Sequence, residues 1–346
     1  MGKREKANDK IDITSVARAA GVSAATVSRA FNHPEIVRAP TRKRIEAAVE
    51  QLGYIRNRAA RTMHGRRSGT VGLVLPTVTS PIFSEMMQAF SDTVDAEGFT
   101  ILIATHGYDL RREVSVLRKL LEHRVDGIAL IGLDHQEAAY TMIERQGVPA
   151  IAIWNHDPAS RLPCVGVDNL EAGYRAMRHL LDLGHRRVAL ALPPLTENER
   201  ARGRMAGAER ALTEAGIPTQ AVRRVDTVYN VSRAKAAVLS LLAEPDPPTA
   251  LLCGNDVIAQ GAVYAAQQAG LAVPEALSIM GIGDFPGSAD IEPGLSTVRL
   301  PAERIGRLAG CHLTEAIAGQ GPAIQVRECC DVMVVQRATT GPPRAA

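Results

Sequence analysis

Residues 13–32 read ITSVARAAGVSAATVSRAFN and contain the local signals for two short helices. The run 13–20 is rich in helix-forming residues. Gly21 can take the left-handed backbone conformation that ends a helix. Ser23 then has the side chain to cap a second helix over 24–31. Two short helices joined by a turn that contains glycine are typical of a helix-turn-helix motif.

The flanking residues extend this motif to a domain of three helices. Thr14 or Ser15 is placed to cap the first helix. A third helix is predicted over 41–52, where apolar residues recur at i, i+3, i+4 and i+7, and Gly53 ends it. The sequence therefore predicts a small all-α domain over residues 11–56.

Charge is unevenly distributed along the chain. Residues 1–67 carry 15 Lys and Arg against 6 Asp and Glu, a balance of +9, whereas the remaining residues carry 25 against 31, a balance of −6. A basic N-terminal segment followed by an acidic remainder predicts that the N-terminal segment alone binds a polyanion. Residues 1–10 are expected to form a disordered basic tail. In the second helix, small residues and Arg29 suit the major groove of double-stranded DNA.

From residue 70 onward, short apolar runs alternate with amphipathic helices. The runs are 71–75, 100–103, 127–131, 150–153, 188–192, 250–253 and 277–282, and the helices include 84–97, 111–123, 169–183, 202–215, 232–243 and 256–269. Continuous apolar runs are typical of parallel strands covered on both faces, so the pattern predicts a doubly wound α/β domain. Because about 270 residues exceed one such layer, two doubly wound subdomains with a cleft between them are expected.

Composition narrows the function classes. No apolar run reaches the ~20 residues that span a bilayer, and no secretory signal follows the first Met, so a cytoplasmic protein is expected, nucleoid-associated when bound to DNA. The five cysteines have no zinc-binding spacing and are expected to be reduced, packed thiols. Phosphate-binding loops, dinucleotide fingerprints and nucleophile elbows are missing, so neither a cofactor nor an enzymatic activity is predicted.

The stretch 13–32 closely resembles the N-terminal signature of the LacI/GalR family of bacterial transcription regulators, and the resemblance continues through LGY at 52–54 and NRAAR at 57–61. It implies a homodimer that binds a near-palindromic DNA operator. Arg29 is expected to read a base edge, and Ala24 and Ala25 to contact thymine methyl groups. The DNA-binding residues implied in this way are Ser23, Ala24, Ala25, Thr26, Ser28, Arg29, Asn32, Asn57, Arg58, Ala60, Arg61 and Met63.

The resemblance also implies that residues 57–68 form a hinge helix and linker, and that the hinge helix enters the minor groove. The family usually places Leu at position 63 as a wedge between base steps, whereas this chain has Met63. Methionine is apolar and long enough to intercalate, but it is more flexible than leucine. Packing of Met63 against its dimer mate is the alternative.

The same resemblance covers nearly all of the remaining chain, through landmarks such as VDGI at 125–128, VGVDN at 165–169 and GNDVIA at 254–259. It implies an α/β sensor domain like the periplasmic sugar-binding proteins. The implied bounds are 69–340 for the domain, about 69–167 and 299–326 for its N-terminal subdomain, about 168–298 and 327–340 for its C-terminal subdomain, and 341–346 for a frayed tail.

Carried over position by position, the resemblance predicts the residues that bind a small effector in the cleft. Arg204 is the strongest candidate because its planar fork of donors suits sugar hydroxyls or a carboxylate. Asn255 and Asp256 have an alternative role as caps of the helix that follows, and Trp154 as part of the core. The predicted effector-binding residues are Ile82, Phe83, Trp154, Asn155, Arg200, Arg204, Asn255, Asp256 and Asp284.

Two features bear on the effector. In GIGDF at 281–285 the aspartate is displaced by one residue from its usual family position, as in the gluconate-utilisation repressors. Asn198, with arginines at 200, 202 and 204, makes the cleft edge cationic. Together they favour a sugar acid such as gluconate and a repressor of sugar-acid utilisation genes. The alternatives are a purine-type regulator that responds to a corepressor, and a cytosolic sugar-binding or metabolic protein of the same fold. The sign of the effector's action on DNA binding stays open.

Overall fold

The computed structural model describes residues 11–55, 67–319 and 326–344. The chain divides into two compact units, one ending at Ser68 and the other beginning at Gly69. The first unit consists of α1 (Ile13–Ala20), α2 (Ala24–Asn32), a short 3-10 helix (Pro34–Ile36) and α3 (Ala39–Leu52). Its core is formed by Val16, Ala17, Ala20, Val27, Ala30, Ile45 and Ala48.

The ends of these helices follow from local chemistry. Gly21 and Gly53 have φ of +64° and +60°, so both glycines end their helices as predicted. Ser23 caps α2 through a hydrogen bond that Thr26 N–H donates to its Oγ. The predicted cap of α1 is wrong: Asp12 caps it, with Oδ1 accepting from the Ser15 N–H at 2.8 Å.

The described part of the second unit contains two six-stranded sheets, in the orders β11-β5-β4-β3-β1-β2 and β12-β10-β9-β8-β6-β7. All neighbouring strands are parallel except β10 and β12. The strands are β1 (Thr70–Leu75), β2 (Thr100–Thr105), β3 (Gly127–Ile131), β4 (Ala150–Asn155), β5 (Cys164–Val167), β6 (Val188–Leu192), β7 (Arg223–Asp226), β8 (Ala250–Cys253), β9 (Ser278–Gly283), β10 (Ser296–Arg299), β11 (Arg327–Cys329) and β12 (Met333–Val335).

Helices cover both sheets, which confirms the predicted pair of doubly wound layers. They are α4 (Pro81–Ala96), α5 (Leu110–Glu122), α6 (Glu137–Gln146), α7 (Asn169–Asp182), α8 (Glu199–Glu214), α9 (Val231–Leu242), α10 (Asp256–Gln268) and α11 (Ala302–Ala318). We call the sheet that contains β1 and its helices the first subdomain, and the sheet that contains β6 and its helices the second subdomain.

The chain passes between the two subdomains after β5, after β10 and after β11. The predicted third boundary, at residue 327, is too early, because Arg327 pairs with Cys164 and β11 still belongs to the first sheet. The passage follows Cys329, and β12 joins the second sheet. Strands β5, β7, β10, β11 and β12 are short or partly polar, which explains why apolar runs did not reveal them.

The predicted frayed tail begins too early as well. Gly341 N–H donates to Ser278 Oγ at 3.0 Å, and the Gly341 carbonyl accepts from His185 Nε2 at 2.9 Å. Thr339 is fully buried and donates to the Ile279 carbonyl. These contacts bind the chain to the second sheet as far as residue 341. Among the described residues, no helix is both long and apolar enough to cross a membrane.

Candidate functional site

The first unit presents α2 as its candidate DNA-binding element. Val27 and Ala30 face the core, whereas Ala25 and Arg29, four residues apart, are exposed on one face. Within the described residues nothing forms an ion pair with the Arg29 guanidinium. The exposed face therefore offers a small apolar group and an unneutralised cation one helical turn apart.

The other predicted contacts of α2 take part in local hydrogen bonds. Ser23 Oγ lies 2.9 Å from Thr26 Oγ1, and Asn32 Nδ2 donates to Ser28 Oγ at 3.2 Å. Ala24 packs partly against the core of the unit, which leaves less of its methyl group for a thymine. The predicted hinge contacts, namely Asn57, Arg58, Ala60, Arg61 and Met63, lie outside the described residues and stay predictions.

In the second unit, six predicted effector residues come together at a small inner pocket of about 20 Å³ between the subdomains. They are Ile82, Phe83, Trp154, Arg200, Arg204 and Asn255. Phe83 belongs to the first turns of α4, and Trp154 lies near the end of β4, where its ring meets Phe83 edge-on at a centroid distance of 5.3 Å. The carboxyl ends of parallel strands meet at one edge of a sheet, and this explains the convergence.

Arg204 is the most enclosed cation of the pocket. Its Nε donates to Asn169 Oδ1 at 2.9 Å and its Nη1 to the Gly254 carbonyl at 2.6 Å. Burial lowers the pKa of Arg204. Within the described part of the chain, no carboxylate forms an ion pair with it, and Nη2 has no hydrogen-bond partner. Arg204 is therefore a buried guanidinium whose direct hydrogen bonds go to neutral groups, and its Nη2 is unused.

Arg200 adds a second guanidinium to the inner pocket. It is buried, and its Cζ lies 6.0 Å from the Phe83 ring centroid and 5.9 Å from that of Tyr108. Its Nη1 is 3.7 Å from Glu199 Oε1, longer than a hydrogen bond. Two arginines therefore line the inner pocket, and one carboxylate lies at ion-pair distance from Arg200.

Sequence reasoning missed two tyrosines that face each other across the cleft. Tyr108 follows β2 in the first subdomain and Tyr229 follows β7 in the second, and their ring centroids are 6.1 Å apart. Burial raises the pKa of Tyr108 to about 12, and Asn198 Nδ2 donates to the Tyr229 hydroxyl at 3.1 Å. Tyr229 follows β7, which is too polar to be recognised as a strand from apolar runs. The only signal for Tyr108 in the sequence is its position two residues after His106, near the end of an apolar run.

Both tyrosines line the inner pocket and also a larger outer cavity of about 560 Å³. They therefore lie between the two spaces. The outer cavity has a mixed lining, in which apolar side chains such as Val78, Pro193 and Val228 lie beside hydroxyl and amide groups and one arginine. Its polar lining includes Thr77, Thr79, Ser80, Thr105, Arg112, Thr196, Asn198 and Asn255.

Three predicted effector residues line neither of these two spaces. Asn155 Oδ1 accepts from Asn169 Nδ2 at 3.4 Å, so it supports the partner of Arg204 rather than the pocket itself. Asp284 forms ion pairs of 2.6 Å with Arg299 and 2.7 Å with Arg337.

Asp256 is the third of these residues, and its carboxylate is used inside the second subdomain. It accepts hydrogen bonds from Phe285 N–H at 2.9 Å, Ser288 Oγ at 2.7 Å and Thr297 Oγ1 at 2.6 Å. These contacts assign Asp256 to packing around β9 and β10. Asn255 combines both predicted roles, because it lines the pocket and its Oδ1 caps α10 by accepting from Ile258 N–H.

A helix-turn-helix unit joined to a two-sheet unit with a cleft between its sheets defines the class of DNA-binding regulators that respond to a small ligand. Residues 12–57 match the family described as bacterial regulatory proteins, lacI family. Residues 68–337 match periplasmic binding proteins and sugar binding domain of LacI family. The chain belongs to the LacI family of bacterial regulators, as the sequence resemblance implied. It is a DNA-binding transcriptional repressor with a sugar-binding sensor domain.

Individual relatives agree with this assignment. The chain is 33% identical over 319 residues to the HTH-type transcriptional regulator GntR of Pseudomonas aeruginosa, covering 92% of each chain. It is 30% identical over 333 residues to the HTH-type transcriptional repressor PurR of Erwinia tasmaniensis, covering 96% of this chain and 97% of that one. Its fold matches the crystal structure of transcription regulator GntR from Chromobacterium violaceum with a TM-score of 0.74 and 31% identity, over 78% of this chain and 99% of the other.

Proposed function

We propose that this chain is a homodimeric repressor of sugar-acid utilisation genes, whose operator affinity is controlled by an aldonate such as gluconate bound in the cleft. The observation that carries the proposal is Arg204, a buried guanidinium with no carboxylate partner among the described residues and Arg200 beside it. A buried cation without a direct ion-pair partner is costly, so binding of a carboxylate there is favoured.

The outer cavity suits the rest of such a ligand. An aldonate has a chain of hydroxyl groups, and the outer cavity offers hydroxyl and amide partners such as Thr105, Thr196 and Asn198. Its volume of about 560 Å³ lies within the range of small-molecule sites. Tyr108 and Tyr229 would then contact the ligand between its charged end and its hydroxyl groups.

Dimer formation is supported by the edge of the first sheet. Strand β2 is an edge strand, and Leu102 and Ile103 on it are 36% and 45% exposed. An exposed apolar edge strand favours pairing with a second copy. Two copies would place two α2 helices on the half-sites of a near-palindromic operator, with Arg29 and Ala25 toward the base edges.

The Tyr108–Tyr229 pair supports a second candidate, a planar purine-type corepressor, because aromatic rings stack on heterocycles. A centroid distance of 6.1 Å is too short for a ring to enter between them, so this ligand would require the cleft to widen. The cationic inner pocket would then be left without an anion.

Calorimetric titration of the full-length protein with sodium gluconate, D-glucose and guanine separates these candidates. Gluconate is expected to bind, and the other two to bind at least tenfold more weakly. Binding of D-glucose or guanine alone would refute the sugar-acid assignment. Footprinting on operator DNA with and without gluconate at fixed salt then shows whether the ligand releases the operator or promotes binding.

A further inference from the structure

The two subdomains meet directly at the carboxylate of Glu199, the first residue of α8. Glu199 Oε1 accepts a hydrogen bond of 2.7 Å from the Leu133 N–H. Leu133 follows β3 in the first subdomain, whereas α8 belongs to the second, so this bond crosses the cleft. The Glu199 side chain is only 17% exposed, which limits competition by water.

Gly132 makes this approach possible. Its φ of +100° is disfavoured for residues with a side chain, and a Cβ at this position would lie 2.1 Å from Glu199 Oε1. The turn after β3 therefore has the backbone and the space to receive a carboxylate from the opposite subdomain.

Glu199 Oε1 also lies close to an arginine of the inner pocket. Glu199 Oε1 is 3.7 Å from Arg200 Nη1, and Arg200 lines the inner pocket. One carboxylate thus contacts the first subdomain and partly neutralises a cation of the pocket. Nearby, Arg202 and Asp134 form a second ion pair across the cleft, but both side chains are about half exposed, so this pair contributes little.

We propose that Glu199 is a positioning and specificity-determining residue for the effector: its carboxylate holds the cleft closed at Leu133 and competes with an anionic effector for Arg200. The inference rests on the proposed function in taking the effector to be an anion. An anion in the inner pocket is attracted by the two arginines and repelled by Glu199. A neutral sugar gains no charge–charge attraction by replacing Glu199 at Arg200. Glu199 therefore makes closure of the cleft depend on the charge of the ligand.

Glutamine and alanine substitutions separate the two roles. Glu199→Gln keeps an oxygen that can accept from the Leu133 N–H but removes the charge beside Arg200, whereas Glu199→Ala removes both. Hydrogen exchange of the peptide that contains Leu133, measured on the ligand-free full-length protein, is expected to be about tenfold faster in Glu199→Ala and unchanged in Glu199→Gln. Arg202→Ala, which breaks the half-exposed pair, is the matched control and is expected to leave this exchange unchanged.

Calorimetric titration with sodium gluconate tests the role of the charge. Glu199→Gln is expected to bind gluconate about tenfold more tightly than the wild type, since a nearby negative charge is removed. Glu197→Gln removes an exposed carboxylate two residues away and is expected to stay within about twofold of the wild type. The affinity for D-glucose is expected to be the same in all three proteins.

Two results would overturn the proposal. One is unchanged exchange at Leu133 in Glu199→Ala, and the other is gluconate binding by Glu199→Gln that is no tighter than by Glu197→Gln. If no form of the protein binds gluconate, the effector class and the charge role of Glu199 fail together. The exchange measurement then still decides whether Glu199 holds the two subdomains at Leu133.

Discussion

Asp256 allows a test between two roles. The family resemblance predicts that it contacts the effector, whereas in the structure its carboxylate binds three donors of its own subdomain. Oδ2 accepts from Phe285 N–H and Ser288 Oγ, and Oδ1 accepts from Thr297 Oγ1. Glycine at 281 supports this arrangement, since a Cβ there would lie 2.3 Å from Asp256 Oδ1. Replacement of Asp256 should therefore affect folding more than ligand binding.

The magnitude follows from what each substitution leaves unpaired. Asp256→Ala removes the acceptors of three buried donors, and each buried donor without an acceptor costs about 1–3 kcal/mol. The two hydroxyls can turn toward other partners, whereas Phe285 N–H cannot. We therefore expect Asp256→Ala to lower the free energy of unfolding by about 3–5 kcal/mol.

Asp256→Asn is the matched control. An asparagine oxygen in place of Oδ2 still accepts from Phe285 N–H and Ser288, and its amide can donate to the Thr297 hydroxyl, which also accepts. It also removes a buried charge, and burial raises the pKa of the Asp256 carboxyl. The expected loss in the free energy of unfolding is about 1 kcal/mol or less.

The assay is urea unfolding of the full-length protein followed by tryptophan fluorescence. The chain has one tryptophan, Trp154, which lies in the cleft unit and reports on that unit alone. Gluconate titration of the folded variants completes the test, with Asp256→Asn expected to bind within about twofold of the wild type. If Asp256→Ala instead unfolds like the wild type and loses ligand binding, Asp256 is an effector contact and the reasoning is refuted.

Three further predictions concern α2 of the first unit, the close helix contact at Arg204 and a buried histidine. Arg29→Ala should weaken binding to the specific operator more than to random DNA in a mobility-shift assay, and equal losses would make Arg29 a phosphate contact only. Gly173→Ala should lower the free energy of unfolding by about 1–3 kcal/mol and weaken gluconate binding, because its Cβ would lie 2.0 Å from the Arg204 carbonyl oxygen; wild-type values for both would contradict this. Burial lowers the pKa of His106, so the unfolded chain takes up a proton below about pH 6.5 while the folded chain does not. The free energy of unfolding should therefore fall as the pH drops below that value, and less steeply in His106→Gln; parallel pH profiles would show that His106 is not the cause.

The site was predictable from sequence only where local chemistry or a family signature fixed it. Arg204 and Phe83 were assigned to the pocket through the resemblance, and both line it. Tyr108, Tyr229 and Glu199 were not found, because nothing local marks them as facing the cleft. Their roles depend on the order of strands in two sheets, which brings residues far apart in sequence within contact distance.

Elements whose signals are local could be predicted from the sequence. Helix ends at Gly21 and Gly53, the cap at Ser23 and the buried parallel strands follow from backbone preferences and apolar runs that act over a few residues. Which polar side chains line the inner pocket depends on how the two subdomains pack. Asp256 and Arg204 are both buried and polar, yet Asp256 meets three donors of its own subdomain, whereas Arg204 keeps a donor free beside the cleft. That difference depends on packing between distant segments, and no local pattern of residues contains it.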